Sequence, residues 1–300
     1  MMALDGGRRA RSEGAFALGL LSPTLLLMLV LTAFPILYSI WLSLTDLVLS
    51  RGPRGDFVGL RNYWELFRNP TFVASLWKTG YFSVCFLAAT LVFGMLVALL
   101  LNQEFKGKSF VITCLLIPWA IPNVVNGLIW KWIYDGNFGI FNAILLKLGV
   151  IHQYRFWFGE SIPLSIFLIS FANAWKLMPF VAMMLLAALQ TIPRELYDAA
   201  RVDGANVFQR FANVTVPHLK YSLIIIFILQ TAHAVKVFDI IAVLTQGGPG
   251  DMTMVTYYYI YRIAFDYLKL GSASAGAYIV SLAITGLAVV YYLIFRGNQE

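Results

Sequence analysis

The chain has 300 residues, 60% of them hydrophobic and 12% charged, with a formal net charge of +7 at pH 7 and a mean hydropathy of +0.75. Soluble domains carry about 25% charged residues, so the composition excludes a water-soluble globular protein and marks an integral membrane protein. The basic residues are spread through loops, which reads as membrane orientation and excludes nucleic acid as a partner. The two cysteines, Cys85 and Cys114, fall in apolar runs and imply no disulfide framework; they are expected to be free, buried thiols.

Residues 1–15 form a polar arm with Arg8, Arg9 and Arg11. The apolar run that follows, 16–44, is longer than the roughly 20 residues of a span and far longer than a signal-peptide core. Further runs are 71–101, 109–132, 164–192, 219–244 and 272–295. The expected fold is therefore all-α and membrane-embedded, with six transmembrane helices. An even number of spans puts both termini, the arm and a tail of 296–300, on one side. Loop lysines and arginines give only a weak bias. The arginine cluster before the first span and the polar stretch 193–217 place that side in the cytoplasm of a multi-pass cell-membrane (inner-membrane) protein.

Between the first two spans, residues 57–67 put Leu60, Tyr63, Trp64 and Phe67 on one helical face, an interfacial amphipathic helix. A second candidate lies at 138–148. Residues 244–251 are rich in Gly and Pro and exclude regular structure. This loop is expected to be flexible and exposed, with Gln246, Gly247, Gly248 and Pro249 available to another protein.

Polar side chains inside spans are costly and usually face a cavity or a partner. Asn123, Asn126 and Trp130 follow a Pro118/Pro122 kink at i, i+3, i+7. Asn173 and Lys176 lie one turn apart on the fourth span, and Gln230, His233, Lys236 and Asp239 follow on the fifth. Amides, cations and indole rings suit hydroxyl recognition and stacking on a sugar's apolar face, so these nine residues are the candidate substrate path. The competing reading is interhelical glue, with Lys236 pairing Asp239 at i, i+3.

Residues 193–217 read PRELYDAARVDGANVFQRFANVTVP. Pro193 suits a first helical position, with Glu195 and Asp198 early in the turn to complement the helix dipole. Gly204 suits a C′ position at positive φ. Asn206 caps a second short helix over 207–211, and Pro217 marks the entry to the next span. The expected product is a small helix–turn–helix on a membrane surface whose exposed tip is Ala199, Ala200 and Gly204.

Asp198-Ala199-Ala200, three residues, Gly204, nine residues, Val214-Thr215-Val216-Pro217 resembles the EAA loop of ABC importer permeases, with Asp for Glu and Val for Ile and Leu. Residues 57–67 and 244–251 resemble the carbohydrate subfamily of the same permeases. The resemblance implies a type I importer permease fold with a cytoplasmic coupling helix. It makes Glu195, Asp198, Ala199, Ala200, Asp203 and Gly204 the ATPase-coupling residues. It implies a second homologous permease, two ATPase subunits, an extracytoplasmic solute-binding protein and a sugar as partners, beside membrane lipid, with transport by alternating access. A glycerol-phosphate or polyol importer, and an ATP-independent secondary transporter, are the alternatives.

No enzyme signature is present. Gly107-Lys108-Ser109 resembles the end of a phosphate-binding loop, but Asn102 stands where that motif needs its first glycine. ATP would be hydrolysed by a separate subunit, and no cofactor is expected. His152, His218 and His233 lack metal-ligand spacing, so no metal site is expected.

Overall fold

The computed structural model describes residues 19–296; the expected arm of 1–15 and most of the tail lie outside the described residues. Every named element is helical, and an isolated bridge between Thr45 and Phe57 is the one β contact among the described residues. Five helices are long and apolar enough to span a membrane: α1 (Gly19–Ser43), α3 (Pro70–Leu101), α7 (Ile162–Leu189), the run Val207–Leu244, interrupted near its end at 236–238, and α13 (Leu270–Arg296). A sixth candidate is a broken pair, α4 (Lys108–Ala120) and α5 (Asn123–Ile133), bent by 96°. The break follows from Pro122, which lacks an N–H and drives Ile121 to extended geometry (φ −69°, ψ 134°). The run Val207–Leu244 consists of α9 (Val207–Arg210), α10 (Val216–Val235) and α11 (Asp239–Leu244), and short helices complete the chain: α2 (Arg61–Arg68), α6 (Ile140–Lys147), α8 (Arg194–Val202) and α12 (Thr256–Phe265).

Pro217 lies in the first turn of α10, at the entry to the span as expected, but the chain is already helical before it. The chain stays helical from Val207 by widening to a π turn at Phe211–Thr215. Pro35 is preceded in the same way by a π turn at Leu29–Ala33. In both places the wide turn contains the residue four before the proline, where a tight turn would bring carbonyl against ring.

Two compact units are present. The first holds residues up to 65 together with 263–278. In it Asn62, 4% exposed, donates to the carbonyls of Ser43 (2.8 Å) and Thr45 (2.7 Å), and Tyr63 donates to the Ser43 hydroxyl (2.8 Å). These bonds close off the end of α1. Leu60 and Trp64 stay on the exposed side of this amphipathic segment, with Phe67 further along α2, whereas Tyr63 turns inward.

The second unit, residues 66–262 and 279 onward, is organised by the pairing of α3 with α7. Burial of apolar surface does not drive association between helices in lipid, so close packing of small residues must. Gly94 supplies it: a Cβ there would stand 2.7 Å from Val181 Cγ1. Ala98, Val181, Leu185, Leu189, Ile192, Leu219 and Ile226 form the core at the α8 end. At the other end hydroxyls take over: Thr79 and Thr256 share a 2.9 Å bond, and Lys78, 6% exposed, donates to the Asp251 carbonyl. The expectation of two buried thiols is corrected for Cys114, which is exposed; Cys85 is half-buried.

Candidate functional site

A cavity of about 420 Å³ is lined by Trp119, Asn123, Asn173, Lys176, Leu177, Phe180, His233, Lys236, Val237, Phe238, Asp239 and Ile240. Six of the nine candidate path residues thus meet in one place, from three separate stretches of chain. Pro179 lies inside α7 and cannot donate to the carbonyl of Trp175, so the helix is locally weakened beside Lys176. Trp119 and Phe180 stack at 6.0 Å and 18° to give one aromatic wall. Phe238, against Tyr261 at 4.7 Å, gives another. Lys176 is buried, while His233 and Lys236 are exposed.

Lys236 and Asp239 form no ion pair with each other, which corrects the i, i+3 pairing. The helix ends between them: Lys236 caps α10 and Phe238 leaves helical geometry (φ −137°). Asp239 opens α11 and accepts from Asn123 Nδ2 at 2.6 Å. That bond is supported by a close approach of α5 to α11, where a Cβ on Gly127 would stand 2.9 Å from Val243.

Asn126, Trp130 and Gln230 are not brought to the cavity. Asn126 is 1% exposed and lies 3.5 Å from the Ala172 carbonyl, with Oδ1 unpartnered within the protein. Trp130 packs edge-on against Phe171 and Trp175, beside Tyr134. Burial pushes the Tyr134 phenol above its usual range, and its hydroxyl donates to the Leu168 carbonyl at 3.2 Å. Gln230 is fully buried and neither amide atom has a protein partner. The period of Asn123, Asn126 and Trp130 placed them on one span. All three lie on α5, after the bend, but only Asn123 reaches the cavity, while Asn126 and Trp130 are buried against Ala172, Phe171 and Trp175 of α7. The aromatic walls were missed, although Trp119 and Phe180 each follow a proline.

The candidate coupling segment forms as its local sequence dictates. Pro193 precedes α8, Glu195 lies in the first turn and Asp198 pairs with Arg201 at 3.0 Å. Asp203 is the C-cap. Gly204 has φ +80°; its N–H donates to Arg201 and that of Ala205 to Ala200, a complete Schellman pattern. Asn206 and Gln209 cap the next helix reciprocally. No α8 residue is buried; Ala199 and Gly204 are exposed, and Ala200 is half-buried. Tyr197 anchors the helix through a 2.9 Å bond to Thr215.

The loop after α11 is tied down, which corrects the expectation of flexibility. The Thr253 hydroxyl donates to the Gly248 carbonyl (2.9 Å) and shares a hydrogen bond with the Thr245 hydroxyl (2.7 Å). Gly247, at φ +81°, is buried against Met254 and Tyr258, where a side chain would clash. Gln246 and Pro249 are exposed and Gly248 is half-buried.

Comparison with known proteins adds to this geometry. The family model "Binding-protein-dependent transport system inner membrane component" matches residues 90–298. The chain is 38% identical over 282 residues, 93% of its own length and 92% of the relative's, to the trehalose/maltose transport system permease protein MalF of Thermococcus litoralis. It is 35% identical, over 93% and 90%, to the sulfoquinovosyl glycerol transport system permease protein SmoG of Agrobacterium fabrum. A crystal structure of a bacterial ABC transporter involved in the import of alginate superposes with a TM-score of 0.81 at 21% identity, covering 97% of this chain and 99% of that one. At that identity the likeness speaks to the fold alone.

Proposed function

This chain belongs to the binding-protein-dependent transport system inner membrane components, and we propose that within such an importer it is the permease subunit that carries a sugar through the cavity between α4/α5, α7 and α10/α11. The observation that carries the reading is the convergence of Asn123, Asn173, Lys176, His233, Lys236 and Asp239 with three aromatic faces in one cavity. Aromatic faces take the apolar side of a pyranose and the amides and charges take its hydroxyls, the pattern of a small-molecule site. The relatives named for trehalose/maltose and sulfoquinovosyl glycerol transport support a carbohydrate class. The chain is a transport subunit rather than an enzyme.

In this reading the α8 end faces the cytoplasm, and α8 docks an ATPase through Glu195, Asp198, Ala199, Ala200, Asp203 and Gly204. The complex contains a second permease and two ATPase copies. Gln246 and Pro249 meet a loaded binding protein on the other side, with Gly247 and Gly248 shaping the loop. ATP-driven closure of the ATPase pair moves α8 and alternates access to the cavity. A second reading draws on one specific observation: two lysines and a histidine share the cavity with a single carboxylate. That balance favours a substrate carrying an anionic group, such as a glycerol phosphate or an acidic sugar.

Uptake by proteoliposomes containing this chain, its partner permease and the ATPase tests the proposal. Transport should need ATP inside and binding protein outside. Flux driven by an ion gradient with no ATPase present would overturn it in favour of a secondary transporter.

A further inference from the structure

We propose that the loop of residues 102–107, between α3 and α4, is a second docking point for the ATPase subunit, with Phe105 as its apolar anchor. The proposal rests on α8 being the coupling helix. The loop is short and firmly based. Leu101 is 2% exposed in the core, Gly107 turns at φ +86° and Lys108 N–H donates to the Phe105 carbonyl at 3.4 Å. Its side chains nevertheless point out: residues 102–107 are all exposed, Phe105 at 42%. Gln103, Glu104 and Lys106 flank that ring, so lipid is a poor cover for it.

The loop's place is fixed by Arg194, which opens α8 and pairs with Glu104 at 3.1 Å. Both side chains are more than four-fifths exposed, so the pair adds little stability; its value is to show which surfaces are continuous. At the other end of α8, about 12 Å along the helix axis, Val202 is 89% exposed. The outward side of α8 is thus bracketed by two uncovered apolar side chains, with Glu195, Asp198 and Arg201 between them. Apolar anchors within a charged surround are the make-up of a protein interface. Continuity with α8 names the occupant: the subunit that α8 docks covers Phe105 as well.

The test uses the assembled complex with a photoreactive phenylalanine analogue at position 105 or 202. Both positions should crosslink to the ATPase. Phe105→Ser should weaken ATPase retention about fivefold, the effect of losing an interface anchor, and Phe105→Leu should restore most of it. A crosslink from 202 but only to lipid or the partner permease from 105 overturns this proposal and leaves α8 as the coupling helix. A crosslink to the ATPase from neither position overturns the coupling reading itself, and this proposal with it.

Discussion

The candidate coupling residues lie within one unbroken stretch from Glu195 to Gly204, whereas the cavity wall draws on residues 119–123, 173–180 and 233–240. The first region buries nothing of its own helix and is shaped by caps and a Schellman turn. The second has no local rule behind it: its polar groups meet because α7 is fixed against α3, and α11 against α5. A surface that receives another protein can be written in local chain geometry, since its partner supplies the burial. A cavity between helices cannot, because every polar group there must be placed by the packing of other helices.

Breaking the shared scaffold should have the largest effect, on both regions together. Gly94→Leu places a branched side chain where even a Cβ would stand 2.7 Å from Val181. Overpacking of this kind costs about 1–3 kcal/mol or more. The expected outcome is loss of assembled complex on size-exclusion chromatography; a normal yield would mean that α3 and α7 do not hold the two regions in common.

Next comes a change confined to the candidate coupling segment. No atom stands within 4 Å of a Cβ at Gly204, so Gly204→Val acts through backbone strain at φ +80° alone, about 1–2 kcal/mol. Uptake should fall roughly tenfold while substrate still binds; wild-type uptake would remove α8 from the mechanism. The matching cavity change, Lys176→Ala, should raise the transport KM about tenfold, since a hydrogen bond to a charged group is worth roughly 1.5–3 kcal/mol. ATP hydrolysis by the assembled complex should be retained. Lost assembly instead of a KM shift would make Lys176 a structural residue.

The smallest effect sharpens the boundary between the regions. Tyr197→Phe removes the bond to Thr215, worth about 1 kcal/mol. Coupling, read as uptake per ATP hydrolysed, should fall by a few-fold, with KM unchanged. A KM change would show that α8 and the cavity are less separate than their construction suggests.

How much the sequence determined follows the same division. Apolar runs of span length sufficed for the helices, because a chain in lipid must satisfy its backbone within each segment. Pro193, Gly204 and Asn206 sufficed for the fold of the candidate coupling segment, because caps and αL turns depend on residues within a few positions. Tertiary structure alone decided that Asp239 pairs with Asn123 and not Lys236. It also decided that Gln230 lies buried away from the cavity, that Gly247 is packed under Tyr258, and that Trp119, Phe180 and Phe238 form the walls. Helical period says which residues share a face; what that face meets depends on where other helices bend, here at Pro122 and after Lys236, and on how closely Gly94 and Gly127 let them approach.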